Sequence, residues 1–307
     1  MITNLDPASQ LFLSDLERAQ QRVSEAQRQI SSGKRVNVAS DDPDMVSDLL
    51  RLRAAMERNT QLQSNLATAQ AAADVADNTL SASIKLLDSA LTLAAQGATA
   101  TQTAAGRQSI AGDIQSLQQE LVSFSQTQSG GRYIFSGDQD TAPAYQLDLD
   151  SPNGVDRLLT SPATRLIENP AGGSFLASQT AQDIFDTRNP DDSLASDNAF
   201  AALNSLRVAL LNNDVDGINQ AIGYVKLASD RLNASQSFYA AVENRLQDAT
   251  NFTNQYEVQL KTELSQREDA DIVAASLELS QGNLQVQAAL QMRGSVPRTT
   301  LFDFLNR

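Results

Sequence analysis

The chain has 307 residues and a formal net charge of −14, with 37 acidic against 23 basic side chains. This charge repels nucleic-acid phosphates and anionic lipid headgroups, so we expect no nucleic acid and no membrane surface as a partner. His, Cys and Trp are all absent. Their absence excludes disulfides, zinc sites built from Cys or His, and thiolate catalysis. We therefore expect no enzyme activity, no bound metal and no cofactor.

Membrane insertion is also not indicated. No apolar run approaches the roughly 20 residues that cross a bilayer, and the opening MITNLDPASQ lacks the basic and apolar regions of a cleaved secretory signal. We expect the chain to be made as a soluble cytosolic protein. Aromatic residues make up only 5% of it, and long tracts of Ala, Gln, Ser and Leu contain few Gly or Pro, which is typical of extended helices.

The N-terminal region predicts a helix with one narrow apolar stripe. Asp6-Pro7 supplies an N-cap and a first helical position, so this helix should begin at about residue 7 and end at Gly33. Its apolar residues are spaced 4, 3, 4, 3, 4, the pattern of a coiled-coil seam: Phe12, Leu16, Ala19, Val23, Ala26 and Ile30. Such a stripe needs a partner helix. The segment 31–42 has no period and predicts a loop.

Two further helices are predicted before the middle of the chain. One begins at Asp42-Pro43 and continues to Gly97, which makes a rod of roughly 80 Å. Its seam residues Leu66, Ala73, Leu80, Leu87 and Ala94 are each seven apart. The next helix carries Ile110, Ile114, Leu117, Leu121 and Phe124, ends before Gly130-Gly131, and should fold back on the rod.

The middle of the chain differs in kind from both ends. Residues 137–200 contain five of the eight prolines and 11 acidic against 3 basic side chains. The runs RYIFSG, AYQLDLD and RLLT within 131–176 predict short strands in hairpins or a small sheet. Helical spacing resumes near Ser196-Asp197, and a second long rod follows, with seam residues at Leu232, Tyr239, Leu246, Thr253 and Leu260. A last helix is predicted from Asp269 to about Met292, ending at Gly294.

The order of elements predicts a mainly α fold with a small β-rich insert, in which N- and C-terminal arms form a long antiparallel helical bundle. We expect three domains: 1–42 with 269–307 for assembly through coiled coils, 43–136 with 197–268 as the long bundle, and 137–196 as an outer β-rich insert. Because the terminal pair has little else from its own chain to cover its apolar faces, neighbouring copies should cover them. The predicted interface residues are Phe12, Leu16, Val23, Ile30, Ile272, Leu277, Leu284 and Leu290.

Four segments carry a resemblance to a known family. ISSGKRVNVASDDP at 30–43 resembles the N-terminal signature of the flagellin superfamily, and DADIVAASLELSQGNLQVQAAL at 269–290 is similar to its terminal helix. GGRYIFSGDQDTAP at 130–143 and LFDFL at 301–305 resemble the hook-filament junction proteins within that superfamily. The resemblance covers about two thirds of the chain and is weakest in 144–200. The opening ITNLDPASQLFL and the approach SVPRTT depart from the usual family pattern.

The resemblance implies a structural adaptor of the bacterial flagellum with a flagellin-like fold and no catalysis. It implies self-association in a ring, hook-associated protein 1 on the hook side, flagellin on the filament side and a cytosolic export chaperone. It also implies secretion through the flagellar export channel to the extracellular flagellum. A divergent filament flagellin stays an alternative, and a cytosolic coiled-coil scaffold is an alternative of another class.

Three motifs could suggest other chemistry but favour structural roles. Gly33-Lys34 lacks the remaining residues of a phosphate-binding loop, with Arg28 and Arg35 in the decisive positions, so we expect a turn that contacts adjoining helices. Asp138 and Asp140 could open a calcium loop, but Pro143 and Leu149 stand where Gly and Glu are needed. The pairs Asp41-Asp42 and Asp191-Asp192 more often cap backbone N–H groups at helix starts than transfer protons.

Overall fold

Helices account for most of the fold. The computed structural model describes residues 7–38, 40–170 and 172–295, and it confirms the mainly α architecture with few small strand pairs. The described helices are α1 (Pro7–Ser32), α2 (Pro43–Ala98), α3 (Ala104–Ser125), α4 (Ala181–Ile184), α5 (Ala199–Leu211), α6 (Val215–Glu268) and α7 (Ile272–Ser295). None of these helices has a stretch long and apolar enough to cross a membrane.

The helix boundaries follow local capping chemistry. α1 ends before Gly33, whose φ of +71° is open to glycine at little cost. Thr103 caps α3 by accepting a hydrogen bond from the Gly106 amide. At the last helix the predicted bounds were wrong in detail. α7 starts at Ile272 because Asp271 accepts from the amides of Val273 and Ala274, and it includes Gly294 rather than ending there.

Six short strands lie in the middle of the chain: β1 (Gln128–Ser129), β2 (Arg132–Tyr133), β3 (Tyr145–Leu147), β4 (Val155–Arg157), β5 (Leu166–Glu168) and β6 (Ser174–Leu176). They form three separate antiparallel hairpins, β1 with β2, β3 with β4 and β5 with β6. The predicted strand RYIFSG is wrong beyond Tyr133, because the backbone turns there and Gly137 adopts a φ of +64°. Phe135 is nevertheless fully buried, while Tyr133 is half-buried.

Helix α4 was not predicted. This single turn begins at Thr180, whose side chain accepts from the Asp183 amide while the Asp183 carboxylate accepts from the Thr180 amide. This reciprocal pair is a capping box, which stabilises even a one-turn helix.

The chain divides into two compact units. One comprises residues 1–58 with 256–307, and the other comprises residues 59–255. The second unit contains a continuous core in which α2, α3, α5 and α6 contribute aliphatic side chains, and α3 packs most closely against α5. Aromatic residues from the middle segment enter the same core. The Phe135 ring packs edge-to-face against Phe185, with the ring centroids 5.8 Å apart, and against Tyr239 of α6, with the centroids 6.4 Å apart.

The hydrogen bonds of two buried side chains, Asn59 and Arg107, show how α2 and α6 align in this unit. The buried Asn59 side chain donates to the Thr253 carbonyl over 3.0 Å. Towards the other end of the unit, the buried Arg107 guanidinium donates to the carbonyls of Gly97 (2.7 Å) and Thr99 (2.9 Å) and to the Asn213 side chain. Residue 59 therefore lies beside 253, whereas the end of α2 lies beside the residues preceding α6, so the two rods are antiparallel.

The carboxylate of Asp186 is the polar centre of the middle segment. It is fully buried and accepts from the Tyr145 hydroxyl (3.0 Å), the Asn153 amide (3.0 Å), the Asn198 amide (2.7 Å) and the Arg188 guanidinium (2.9 Å). The four donors come from the β3 strand, the turn before β4, the N-cap of α5 and the loop after α4. One side chain thus joins four segments that share little regular secondary structure.

We predict that Asp186→Asn lowers the free energy of unfolding by about 3 kcal/mol, because the new amide group presents N–H donors to a site built from donors and leaves Arg188 without its buried counter-charge. Asp192→Asn is the control, since Asp192 is an exposed partner of Arg157 and should cost less than about 1 kcal/mol. Urea titration followed by circular dichroism measures both values. Equal stabilities of the two variants would contradict the assigned role of Asp186.

Burial also makes two tyrosines sensitive to alkaline pH. Desolvation raises the pKa of Tyr239 to about 12, and burial together with the neighbouring Asp186 carboxylate raises the pKa of Tyr145 further. An unfolded tyrosine ionises near pH 10, so between pH 10 and the folded pKa the unfolded chain binds fewer protons than the folded one. The stability that this difference represents is complete below pH 10 and is lost as pH rises.

We predict that the free energy of unfolding falls with increasing pH above about 10, by up to about 1.4 kcal/mol per pH unit for each of these tyrosines. Tyr239→Phe should make the fall shallower over pH 10–12, although it also removes the acceptor of the Gln179 amide. Urea titrations at several pH values give both slopes. Identical slopes for the variant and the wild type would show that Tyr239 does not carry the effect.

Candidate assembly surface

Helices α1 and α7 pack against each other along a seam of small residues. Ala19 and Ala26 of α1 and Ala275 of α7 are buried, and Gly282 lies directly opposite Val23. A side chain at 282 would place its Cβ 2.6 Å from Val23 Cγ2, so the close approach requires glycine. Beside this contact, the Arg22 guanidinium donates to the Gln285 side chain over 2.9 Å. Small side chains therefore allow the two helices to approach closely.

The predicted interface residues of α1 lie on this seam. Phe12, Leu16, Val23 and Ile30 are half-buried and share the apolar stripe that contains Ala19 and Ala26. The α7 side of the seam follows the same 4, 3, 4, 3 spacing, with Ala275, Leu279, Gly282, Val286 and Ala289 all buried or half-buried. This second stripe was present in the sequence, but its alanines and glycine gave a weaker signal than the leucines on the same helix.

The predicted interface residues of α7 lie in two different positions, and all four are exposed. At about 100° per residue, Leu277 and Leu284 point away from the seam, together with Val273, whereas Ile272 and Leu290 flank it. Leu277 is 60% exposed, Leu284 63% and Val273 80%. We name Val273, Leu277 and Leu284 the outer stripe of α7. The outer stripe therefore exposes three large aliphatic side chains on one face of the helix.

The connection from α1 to α2 contacts the end of α6, a distant partner that the sequence did not predict for this turn. Lys34 Nζ and Arg53 donate to the same carboxylate oxygen of Glu268, a side chain only 4% exposed. The Arg35 amide donates to the Glu268 carbonyl over 2.7 Å, and the Ala270 amide donates to the Gly33 carbonyl over 2.9 Å. The Gly-Lys-Arg turn therefore joins the breaks after α1 and after α6.

The acidic pairs at turns bind backbone amides and arginines. Asp42 accepts from the Met45 amide at the start of α2, and Asp41 accepts from the amides of Asn37 and Val38, each over 2.9 Å. These amides lower the pKa of Asp41. Hydrogen bonds from Ser193 lower the pKa of Asp191, and the Arg157 guanidinium lowers that of Asp192.

The two aspartates that could have opened a calcium loop are bound to other side chains. Thr164 donates to Asp138, while Arg132 and Arg165 donate to Asp140; these contacts lower the pKa of both carboxyls. Among the described residues, no group of three or more acidic side chains could hold a metal ion.

Comparison with known proteins identifies the family behind this arrangement. The model of the bacterial flagellin N-terminal helical region matches residues 4–140, and the model of the bacterial flagellin C-terminal helical region matches residues 222–305. The chain belongs to the bacterial flagellin family. Within that family it resembles flagellar hook-associated protein 3 of Salmonella typhimurium, with 24% identity over 88% of this chain and 82% of that protein.

Two further relatives show how broad the flagellin-family resemblance is. Flagellin A of Vibrio anguillarum is 27% identical over 72% of this chain and 58% of its own length. The solved structure of a putative flagellar hook-associated protein from Vibrio parahaemolyticus has a TM-score of 0.64 at 17% identity, covering 75% of this chain and all of that one. The fold therefore matches that of a hook-associated protein. The sequence is similar both to a hook-associated protein and to a flagellin.

We predict that Gly282→Ala weakens the pairing of α1 with α7 by about 1–3 kcal/mol, because its Cβ would collide with Val23, whose branched side chain is stiff within a helix. Hydrogen exchange of the α1 amides in the monomer measures the loss. Gly223→Ala on α6 is the control: its new Cβ meets nothing within 4 Å, so it should stabilise its helix by about 0.5–1 kcal/mol. Unchanged α1 protection in Gly282→Ala would mean that the seam is not closely packed.

Proposed function

We propose that this chain is a structural subunit at the junction between the hook and the filament of the bacterial flagellum. The outer stripe of α7 is the observation that carries the proposal. It gives the terminal helix pair an apolar face that is not used by the seam with α1. Helix-to-helix contact between neighbouring copies would bury this face, in the way that coiled coils bury theirs.

The partners follow from this position. Copies of the chain associate in a ring through the outer stripe and the flanking residues Ile272 and Leu290. Hook-associated protein 1 lies on the hook side and flagellin on the filament side. Before export, the same apolar face is covered in the cytosol by a chaperone that receives α7 in a groove. The chain is then secreted through the flagellar channel and acts outside the cell, without catalysis. The domains expected from the sequence, with a terminal assembly pair, a helical bundle and an outer insert, match this division of roles.

A filament flagellin is the second candidate, supported by the match to flagellin A. The two functions differ in polymerisation. A flagellin forms long filaments from pure protein, whereas assembly of a junction subunit stops after one ring. Electron microscopy of purified protein separates them. In the source bacterium, antibody against this chain should label one narrow band at the hook end of detached flagella. Labelling along the whole filament would support the flagellin, and absence of the chain from the culture medium would support a cytosolic scaffold.

We predict that Leu277→Asp combined with Leu284→Asp abolishes incorporation into flagella, because two charges in an apolar contact cost several kcal/mol, enough to abolish binding in the micromolar range. Thermal melting of the second unit should not change, since its core lies in residues 59–255. The strain carrying the variant should shed its filaments and lose motility.

The control is Leu211→Asp combined with Leu227→Asp, which places the same two charges on exposed leucines of α5 and α6 outside the terminal pair. It should assemble normally. If the double variant also joins hooks to filaments normally, the outer stripe is not the assembly surface.

A further inference from the structure

Two breaks in the helical backbone lie side by side. α1 ends at Ser32 and α2 begins at Pro43, while α6 ends at Glu268 and α7 begins at Ile272. Lys34 and Asp269 form a backbone bridge between these breaks. We name residues 33–38, 40–42 and 269–271 together the joint. Because neither path through the joint is a continuous helix, the helical hydrogen-bond ladder does not fix the direction of the α1–α7 pair.

Side-chain contacts hold the joint in place of helical hydrogen bonds, and most of these contacts involve the end of α6. Glu268 is the last residue of that helix, Lys34 belongs to the joint and Arg53 belongs to α2, so one buried carboxylate holds three segments. Arg35 adds a bond to the Arg267 carbonyl over 3.0 Å and a bond to Asp42 over 3.0 Å. Arg267 pairs in turn with Asp48 of α2. The Glu268 carboxylate differs from the other acidic groups here because it is almost fully buried, whereas its two partners Lys34 and Arg53 are about half exposed.

We propose that Glu268 is a latch that holds the joint in one arrangement, and that releasing it lets the α1–α7 pair swing against the adjoining turns of α2 and α6. A buried carboxylate with two cations is stable only while its partners are in place. Loss of the Glu268 charge therefore removes the electrostatic attraction that holds Lys34 and Arg53 together. The backbone bonds that remain are few, and few bonds give a local opening that does not require unfolding.

The latch acts on the orientation of the outer stripe of α7, and this part of the inference rests on the proposed function. A subunit that meets one kind of neighbour on the hook side and another on the filament side needs its terminal pair at a defined angle. Glu268 is thus a positioning residue, which acts through the joint and makes no contact with a neighbouring copy in this role.

The test measures the swing directly in the full chain. The sequence has no Cys, so Gln21→Cys on α1 and Leu50→Cys on α2 provide two unique labelling sites, both on exposed positions. Spin labels at these sites report the distribution of distances across the joint. We expect one narrow distribution for the parent protein and a distribution at least about twice as wide after Glu268→Gln. Circular dichroism at the same temperature must show equal helix content in both.

Three further variants make the result decisive. Glu263→Gln, five residues earlier on α6, removes the same charge outside the latch and should leave the distribution narrow. Lys34→Gln with Arg53→Gln should broaden it as Glu268→Gln does, and adding Glu268→Gln should broaden it no further. A narrow distribution in Glu268→Gln, or equal broadening in Glu263→Gln, would overturn the latch.

The outcome for the latch is independent of the outcome for the assembly surface. If Leu277→Asp with Leu284→Asp still assembles, the proposed function of the outer stripe fails, but the distance distributions still decide whether Glu268 holds the joint. If the stripe variant fails to assemble while Glu268→Gln keeps a narrow distribution, the assembly surface stands and the latch does not.

Discussion

The packing of an apolar face, rather than intrinsic propensity, supplies most helical stability in proteins. For the 26 residues of α1 and the 24 of α7, the described packing partner is the seam that the two helices share. Each therefore depends on the other, and the seam between them must form before either can present a surface. Gly282 and the seam alanines make that seam close enough for two helices to support each other.

The distribution of side-chain size on α7 reverses the usual preference for burial. Its seam face carries two alanines and a glycine beside the half-buried Leu279 and Val286, while its outer stripe carries valine and leucine in contact with water. Leucine and valine are ordinarily among the most buried residue types. The observed arrangement is favourable when a second protein covers the leucines, as in the proposed ring.

The sequence predicted the helices well because their apolar seams repeat over many turns, and long repeats leave little ambiguity about the period. α1 and α2 begin at the predicted prolines, and the long rod of α6 was found from its heptad spacing. The middle segment was predicted less well, since its order depends on the contacts of Asp186 with residues up to 41 positions away. No local sequence pattern predicts such long-range contacts. The one-turn helix α4 was missed for the opposite reason, because its capping box occupies four residues without any period.

Among the interface residues, the sequence identified the apolar positions of the terminal helices but not their division between two faces. Leucine spacing on α7 drew attention to Leu277 and Leu284, and the alanine and glycine positions that contact α1 carried too little hydrophobicity to be noticed. The latch was also out of reach of sequence reasoning. Lys34, Arg53 and Glu268 are separated by up to 234 residues, and nothing in their local sequence distinguishes them from other charged residues.

The contacts of Asn59 and Arg107 have a mechanical consequence for the second unit. Heptad seams repeat, so two antiparallel rods pulled in opposite directions could slip by one turn, about 5.4 Å, and repack with similar side chains. The bond from Asn59 to the Thr253 carbonyl exists at one register of α2 against α6 only, and the bond from Arg107 of α3 to the Asn213 side chain holds the residues preceding α6. A slip would take the acceptor from the buried Asn59 amide and would break the bond from Arg107 to Asn213. The rods therefore resist shear along their length.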